Sequence, residues 1–253
     1  MQARRLPASR GAFWLVAGFQ LFRRNPPLLT ALTLTYILFV QIVVTAFPGV
    51  GPFLLPLLLP MLVLIVTNGA RIVSLGNRLV PEALLFGVKG NGRALWRLGA
   101  LHLFGAIVFV GIVLLLEGGG INFADLEKGD DPAMLWALLR LFVLAIPFLA
   151  AFLFAPYLTG WDGVPAAKSL FFSFIASMRN WRALFVYVLA IAFVSFVLPG
   201  LALAMAGLLP ESAAKAAYVV IRMLMMFFLA PVVTASIYVG YQDIFHPATD
   251  EYA

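Results

Sequence analysis

The chain has 253 residues, of which 63% are hydrophobic and 11% are charged, and its mean hydropathy is +1.02. This composition excludes an ordinary soluble domain, in which about a quarter of the residues are charged. The formal net charge of +6 is compatible with nucleic-acid binding, but the basic residues stand at the ends of long apolar runs, where anionic lipid headgroups attract them. Nucleic acid is therefore not an expected partner. The absence of cysteine excludes disulfides and thiolate-ligated metals.

The first predicted element is a short helix over residues 11–22. It is too short to span a bilayer, because a transmembrane helix needs about 20 apolar residues. Trp14 and the flanking Arg23 and Arg24 suit a helix that lies at the level of the headgroups. We expect this helix to be retained rather than cleaved as a signal peptide, because Gln20 interrupts the apolar run and no small-residue cleavage site follows.

Six longer apolar runs follow, and each is long enough to cross a bilayer as a helix. They are Leu28–Phe47, Phe53–Val73, Leu98–Leu116, Met134–Leu158, Ala183–Ala206 and Ala216–Tyr241. Short surface helices are expected at Pro81–Val88 and again from Pro165, the latter capped by Asp162. Residues 242–253 form a polar cytoplasmic tail. The sequence therefore predicts an all-α membrane bundle in one domain, with six transmembrane helices in three hairpins, each preceded by a short cytoplasmic interfacial helix.

Lysine and arginine predict the orientation, since they are enriched in cytoplasmic loops. One side of the six-span arrangement collects the basic residues of the N-terminus, of residues 71–97 and of residues 168–182. The opposite loops hold only Lys128 and Lys215 among several acidic residues. Both termini are therefore expected in the cytoplasm.

Three segments share one order of features: a short apolar helix, a basic elbow with an asparagine, and a span that reaches a Phe-Val pair. The elbow asparagines are Asn25, Asn91 and Asn180, and the second span of each segment carries an internal proline, namely Pro60, Pro147 and Pro231. This order predicts a parallel threefold repeat over residues 11–73, 81–158 and 165–241. Chance similarity between apolar sequences is the alternative.

The short helix that follows Pro165 carries the clearest pattern. Ser169, Ser173 and Ser177 recur every four residues and form a polar stripe beside Lys168, while apolar side chains cover the other faces. Such a helix can lie in the cytoplasmic interface or fill a cavity between spans. We favour the interfacial position.

Two groups of cationic residues are candidates for binding. The first group lies at the elbows and is expected to hold anionic lipid or a partner: Arg23, Arg24, Arg93, Arg97, Lys168, Arg179 and Arg182. The second is a possible anion site formed by Arg140 and Arg222, the only full charges placed well inside spans, where a charge marks a functional site by default. Snorkelling of both arginines to the outer headgroups is the alternative that we favour.

Signatures of catalysis are missing from the sequence. It contains no GxSxG, HExxH, P-loop or dinucleotide-binding glycine pattern, and no acidic pair within a span. His102 stands alone in the third span, and His246 is too isolated for a metal site. We therefore expect no enzyme activity, no catalytic residue, no metal and no cofactor.

Several short runs carry a resemblance to a known group. GFQLF at residues 18–22, NP at 25–26, AKS at 167–169 and NWRALF at 180–185 resemble the YciC-like and related families of uncharacterised bacterial inner-membrane proteins. These families are distantly similar to the membrane region of some glycerophosphodiester phosphodiesterases. The resemblance implies a six-helix protein of the bacterial inner membrane without an assigned reaction. The soluble phosphodiesterase domain is absent, so no catalytic residues carry over.

Three functions remain as hypotheses. The first is an accessory, scaffold or lipid-interacting protein, whose partners are anionic membrane lipids and also a protein partner or a second copy. The second is a small transporter or channel for an anionic solute, which uses Arg140 and Arg222. The third, an intramembrane lipid-modifying enzyme, is the weakest, because no acid, base or nucleophile converges.

Overall fold

A computed structural model describes residues 3–116, 132–208 and 210–246. In those residues all regular structure is helical, and six segments are long and apolar enough to cross a membrane: Pro26–Ala46, Gly51–Ser74, Pro81–Leu116, Leu138–Gly160, Trp181–Ala206 and Glu211–Phe245. The predicted all-α bundle with six transmembrane helices is therefore confirmed. Lys128 and the acidic residues of its loop lie outside the described residues, as does the tail beyond residue 246.

Residues 3–116 form five helices. They are α1 (Ser9–Arg24), α2 (Pro26–Ala46), α3 (Gly51–Ser74), the single turn α4 (Pro81–Leu84) and α5 (Val88–Leu116). Pro56 and Pro60 lie inside α3, which continues through both. Prolines are tolerated there because neighbouring groups in a membrane bundle can satisfy the freed carbonyl groups.

The described residues from 132 onward form seven helices, and some of these helices join into longer ones. They are α6 (Pro132–Phe152), α7 (Ala155–Gly160), α8 (Ala166–Arg179), α9 (Trp181–Ala192), α10 (Leu198–Ala206), α11 (Glu211–Leu224) and α12 (Ala230–Phe245). The π-helical segments Phe193–Val197 and Met225–Leu229 connect α9 to α10 and α11 to α12. The fifth and sixth spans are thus continuous helices with one wide turn each.

Local side-chain and backbone chemistry sets the ends of the first hairpin. The Asn25 side-chain oxygen accepts the Leu28 N–H at 3.3 Å and caps the first turn of α2, which begins with Pro26 and Pro27. At the other end, Gly76 has φ of +64°, a conformation that favours glycine, and the Asn77 N–H bonds the Ile72 carbonyl at 3.1 Å.

Each short helix packs mainly against the hairpin that precedes it in the chain, and α1, which has no preceding hairpin, packs against the last one. Helix α8 lies on α6 and α7, α4 lies on α3, and α1 lies on α9 and α12 at the far end of the chain. The contact of α1 with the last hairpin closes the bundle into a ring. This packing follows the order of the proposed repeat, and the repeat itself stays a prediction.

Helix α1 is an integral part of the bundle, and its level relative to the headgroups stays a prediction. Trp14 is only 1% exposed. A methyl group at Gly11 would collide with the Ala183 carbonyl oxygen, and a Cβ at Gly18 would lie 2.5 Å from the Cβ of Ser236. The two glycines are seven residues apart on one face, and this face lets the backbones of α9 and α12 approach closely.

The second short helix is also different from the prediction. Instead of a helix over Pro81–Val88, the chain forms only the turn α4 and then enters α5, whose backbone leaves helical geometry at Asn91 with φ of −114° and ψ of 22°. The elbow of this segment is therefore a kink inside α5. Of the three predicted short helices, only α1 and α8 have several turns.

The fourth span is interrupted where a continuous helix over Met134–Leu158 was predicted. Helix α6 ends at Phe152, and α7 begins at Ala155 with Pro156 in its first turn. A proline donates no backbone hydrogen bond, and its ring collides with the preceding turn of a helix. The broken end is buried and makes its hydrogen bonds to α8, as described below.

Candidate functional site at the elbow end of the bundle

Contacts between distant parts of the chain bring the three elbows to one end of the bundle. Asn91 donates from its side-chain amide to the Gly160 carbonyl at 3.0 Å, and the neighbouring Trp161 bonds Asn68 of α3. The third elbow, at Asn180, bonds the N-terminal segment, which in turn bonds the end of α12. We call this end, which holds Asn25, Asn91 and Asn180, the elbow end.

Two of the elbows share one backbone conformation. Asn91 has φ of −114° and ψ of 22°, and Asn180 has φ of −109° and ψ of 20°, whereas Asn25 has φ of −152° and ψ of 73°. Asn180 is buried, and its side chain accepts the Leu6 N–H at 2.8 Å and donates to the Arg4 carbonyl at 2.8 Å. The second and third elbows are thus alike, and the first differs.

All seven basic residues predicted to bind lipid or a partner have exposed side chains: Arg23, Arg24, Arg93, Arg97, Lys168, Arg179 and Arg182. In the described part of the chain, none of them forms an ion pair with a carboxylate. Two lie over aromatic rings on their own segments: the Arg182 guanidinium is 5.4 Å from the Trp181 ring centre, and that of Arg23 is 5.8 Å from Phe19. These seven side chains therefore present positive charge with no carboxylate partner among the described residues.

The serine stripe of α8 faces the protein interior, and the favoured interfacial position of the helix stays a prediction. Ser169, Ser173 and Ser177 are each 0% exposed. Ser173 accepts the Phe154 N–H at 3.0 Å and donates to the Ala150 carbonyl at 2.8 Å, which satisfies the break between α6 and α7. A polar stripe turns inward in a membrane protein because hydrocarbon offers no hydrogen-bond partner.

The outward face of α8 is apolar. The exposed large side chains there are Phe171, Phe172, Ile175 and Met178. The sequence pattern identified the two faces, and the structure shows that the polar one is buried. The helix fills the space beside the broken fourth span, which was the alternative position considered from the sequence.

Four aromatic residues, Tyr157, Trp161, Tyr238 and Tyr241, form a cluster that we call the aromatic hub. Their ring centres are separated by 5.0 Å for Tyr157 and Trp161, 5.2 Å for Trp161 and Tyr241, and 5.8 Å for Trp161 and Tyr238. The hub joins the second and third hairpins at the elbow end. Such aromatic pairs add about 0.5–1.5 kcal/mol each beyond the area that they bury.

The first hairpin reaches the hub through polar bonds. The Asn68 side-chain oxygen accepts the Trp161 indole N–H at 2.8 Å, and its amide group donates to the carbonyls of Leu84 and Phe86 at 2.7 and 2.9 Å. Thr67 and Tyr157 share a 3.3 Å bond between hydroxyl groups. Thr67 and Asn68 therefore both bond partners outside α3.

Two carboxylates tie the end of α12 to other elements. Asp243 accepts from the Arg10 guanidinium and from the Trp14 indole N–H, each at 2.7 Å. Asp162 accepts from the Tyr241 hydroxyl and lies 3.1 Å from the ring nitrogen of His246. Within the described residues these carboxylates have structural partners, and no cluster of three potential metal ligands occurs there.

These contacts correct two predictions. Asp162 does not cap α8, because Pro165 occupies the N-cap position and no side chain bonds the first turn. The start of the segment 242–253, predicted as a polar tail, is helical, since α12 continues to Phe245. Residues 242–246 belong to the packed elbow end.

A cavity of about 510 Å³ lies at the elbow end between the first elbow and the end of α3. Its polar lining comes from Arg24, Asn25, Ser74 and Asn77. Leu28, Ile72, Leu75 and Leu79 supply the apolar part of its lining. The cavity thus has one cationic side chain, three neutral polar side chains and an apolar wall.

Arg140 and Arg222 lie on α6 and α11, and both side chains are exposed. Exposure on the flank of the bundle favours snorkelling over a shared internal cavity. The anion site stays a prediction. His102 is half-buried and stacks on Phe152 with ring centres 4.4 Å apart, as expected for a packed residue.

The aromatic hub and its polar partners were missed from the sequence, although a signal exists. Each second span ends with polar or aromatic residues next to a glycine: TNG at 67–69, TGWD at 159–162 and GYQD at 240–243. Their partners come from other hairpins, which hydropathy does not reveal.

The chain is similar to a protein of Burkholderia thailandensis that is described as a probable inner membrane protein. The two share 28% identity over 258 residues, which cover 97% of this chain and 94% of the relative. No protein-family model and no solved structure matches the chain. The resemblance to the YciC-like families and to the phosphodiesterase membrane region therefore stays a prediction.

Proposed function

We propose that the chain is a non-enzymatic protein of the bacterial inner membrane that holds anionic phospholipid at its elbow end. The localisation is supported by the six spans and by the similarity to a probable inner membrane protein over nearly the full length. With the basic elbows on the cytoplasmic side, as the positive-inside rule indicates, the lipid belongs to the inner leaflet.

One observation carries the proposal. The seven basic side chains at the elbows are all exposed and, in the described part of the chain, unpaired by carboxylates. Each cation near an anionic membrane surface contributes about 1 kcal/mol of attraction. Behind them, Asp162 and Asp243 bond partners within the bundle, which suits a scaffold or accessory protein that organises lipid or a protein partner.

A matched pair of double variants tests the proposal. Arg179→Gln with Arg182→Gln removes two charges from the elbow end, and Arg140→Gln with Arg222→Gln removes two charges from the flanks of α6 and α11. Native mass spectrometry of each purified protein measures retained phosphatidylglycerol. We expect the elbow variant to lose lipid and the flank variant to keep it. Equal retention in both variants contradicts the proposal.

A small transporter or channel for an anionic solute is the second candidate. An apolar crevice of about 330 Å³ lies between the fifth and sixth spans next to both π-helical segments, and Ile221, which lines it, precedes Arg222. Wide turns of this kind often occur at functional sites. Anion flux into proteoliposomes that disappears with Arg140→Gln and Arg222→Gln supports this candidate, and absence of flux in the unmodified protein removes it.

A further inference from the structure

We propose that the cavity beside Arg24 is a discrete site for the phosphodiester headgroup of an anionic glycerophospholipid, with phosphatidylglycerol as the best match. The inference rests on the proposed lipid-binding function and gives it one location and one headgroup class. It assigns the first elbow a role different from that of the other two elbows.

The position of the cavity suits a headgroup. One wall is the turn between α1 and α2, and the other is the end of α3. Both walls lie at the same end of the hairpin formed by α2 and α3. Leu75 and Leu79 are 54% and 52% exposed beside it, so an apolar surface continues outward from the polar part. A phospholipid has a matching arrangement, with a charged phosphate group next to apolar acyl chains.

The charge of the lining selects the headgroup. Arg24 supplies one guanidinium, which binds phosphate through paired N–H groups. No carboxylate lines the cavity among the described residues, so an ammonium or choline group gains no ion pair there. The amide of Asn77 is free to bond glycerol hydroxyls, because the backbone of Asn77, rather than its side chain, closes α3. A headgroup with one negative charge and free hydroxyl groups therefore fits the side chains of this cavity.

The backbone that shapes the site is pre-formed. Gly76 and Asn77 are held by bonds to the Val73 and Ile72 carbonyls at 3.3 and 3.1 Å, and Ser74 bonds the Tyr238 hydroxyl at 2.7 Å. The Ser74 bond attaches the cavity wall to the aromatic hub. A site that is held in place before binding loses less entropy when the ligand enters.

The chain provides a close control for Arg24. Arg23 is its neighbour in the last turn of α1 and is equally exposed, but it does not line the cavity. Arg24→Gln and Arg23→Gln therefore remove the same charge from the same helix end. Asn77→Trp is a second probe, since it keeps every charge and the backbone bond while it fills the cavity with an indole ring.

The test titrates phosphatidylglycerol and phosphatidylcholine into delipidated protein in detergent and measures each dissociation constant by native mass spectrometry. Soluble glycerol phosphate forms a third arm. We expect Arg24→Gln to raise the dissociation constant for phosphatidylglycerol about tenfold, the effect of one lost charge-assisted hydrogen bond, while Arg23→Gln has little effect. Asn77→Trp is expected to raise this dissociation constant as well, because its indole ring occupies the cavity. Phosphatidylcholine is expected to bind more weakly than phosphatidylglycerol to the unmodified protein.

Three outcomes overturn the inference. If Arg23→Gln and Arg24→Gln weaken binding equally, the attraction is diffuse and the cavity is not a site, although the proposed function stands. If glycerol phosphate binds as tightly as the lipid, the ligand is a soluble phosphate ester. If the unmodified protein does not distinguish phosphatidylglycerol from phosphatidylcholine, the proposed function fails together with the site.

Discussion

The side-chain oxygen of Asn180 accepts the N–H of Leu6 at 2.8 Å across 174 residues of sequence. The Asn180 amide also donates to the carbonyls of Arg4 and Ala176, so its three bonds join the third elbow to the N-terminal segment. Since Arg4 bonds Ile244 through its backbone, both ends of the described chain meet at this elbow. One buried amide thus helps to close the ring of hairpins.

Replacement of this amide is expected to destabilise the bundle. Asn180→Ala leaves the Leu6 N–H and the Arg4 carbonyl without their side-chain partner. We expect the free energy of unfolding to fall by about 1–3 kcal/mol. The measurement is the thermal unfolding midpoint in detergent micelles. Asn25→Ala is the comparison, since Asn25 is exposed and makes one local bond of 3.3 Å. An equal loss in both variants contradicts the closing role of Asn180.

The contact between α1 and α12 gives a second prediction. Gly18→Ala places a methyl group 2.7 Å from backbone atoms of Ser236, and overpacking of this kind costs about 1–3 kcal/mol. Gly111→Ala on α5 is the control, because no atom lies within 4 Å of its Cβ position and alanine favours helix by about 0.5–1 kcal/mol. Unfolding midpoints that fall for Gly18→Ala and hold or rise for Gly111→Ala are expected. A neutral Gly18→Ala contradicts the burial of α1.

The inward serine stripe gives a third prediction. Ser173→Ala deprives the buried Phe154 N–H of its acceptor, and we expect a loss of about 1–3 kcal/mol. Ser212→Ala on the exposed start of α11 makes the same chemical change on the surface and is expected to have no measurable effect. The comparison of the two unfolding midpoints checks this. If Ser173→Ala behaves like Ser212→Ala, α8 does not support the broken fourth span.

The six spans could be predicted because their signal is local. An apolar run of about 20 residues needs no knowledge of its neighbours to be recognised as a membrane helix. The sequence also predicted correctly that the second span continues through Pro60, because the apolar run continues on both sides of this proline. The break before Pro156 was missed, because a proline inside a membrane helix is tolerated or disruptive according to its partners.

The elbow end could not be predicted in detail because its bonds join residues far apart in sequence. Asp162 was read as a cap for the next helix, but its partners are Tyr241 and His246 of the last hairpin. Trp14 was read as a headgroup residue, but its indole bonds Asp243. In both cases the prediction used only neighbouring residues in the sequence, whereas a contact with the last hairpin determines where the side chain lies.

The most direct test of the account is the placement of the elbow end relative to the bilayer. The chain has no cysteine, so Asn77→Cys, Ala167→Cys and Ser212→Cys each introduce a single exposed thiol. A membrane-impermeant maleimide is applied to intact spheroplasts and to inverted membrane vesicles. The account predicts that Cys at positions 77 and 167 reacts only in inverted vesicles and that Cys at position 212 reacts only in spheroplasts. Reaction of all three on one face contradicts it.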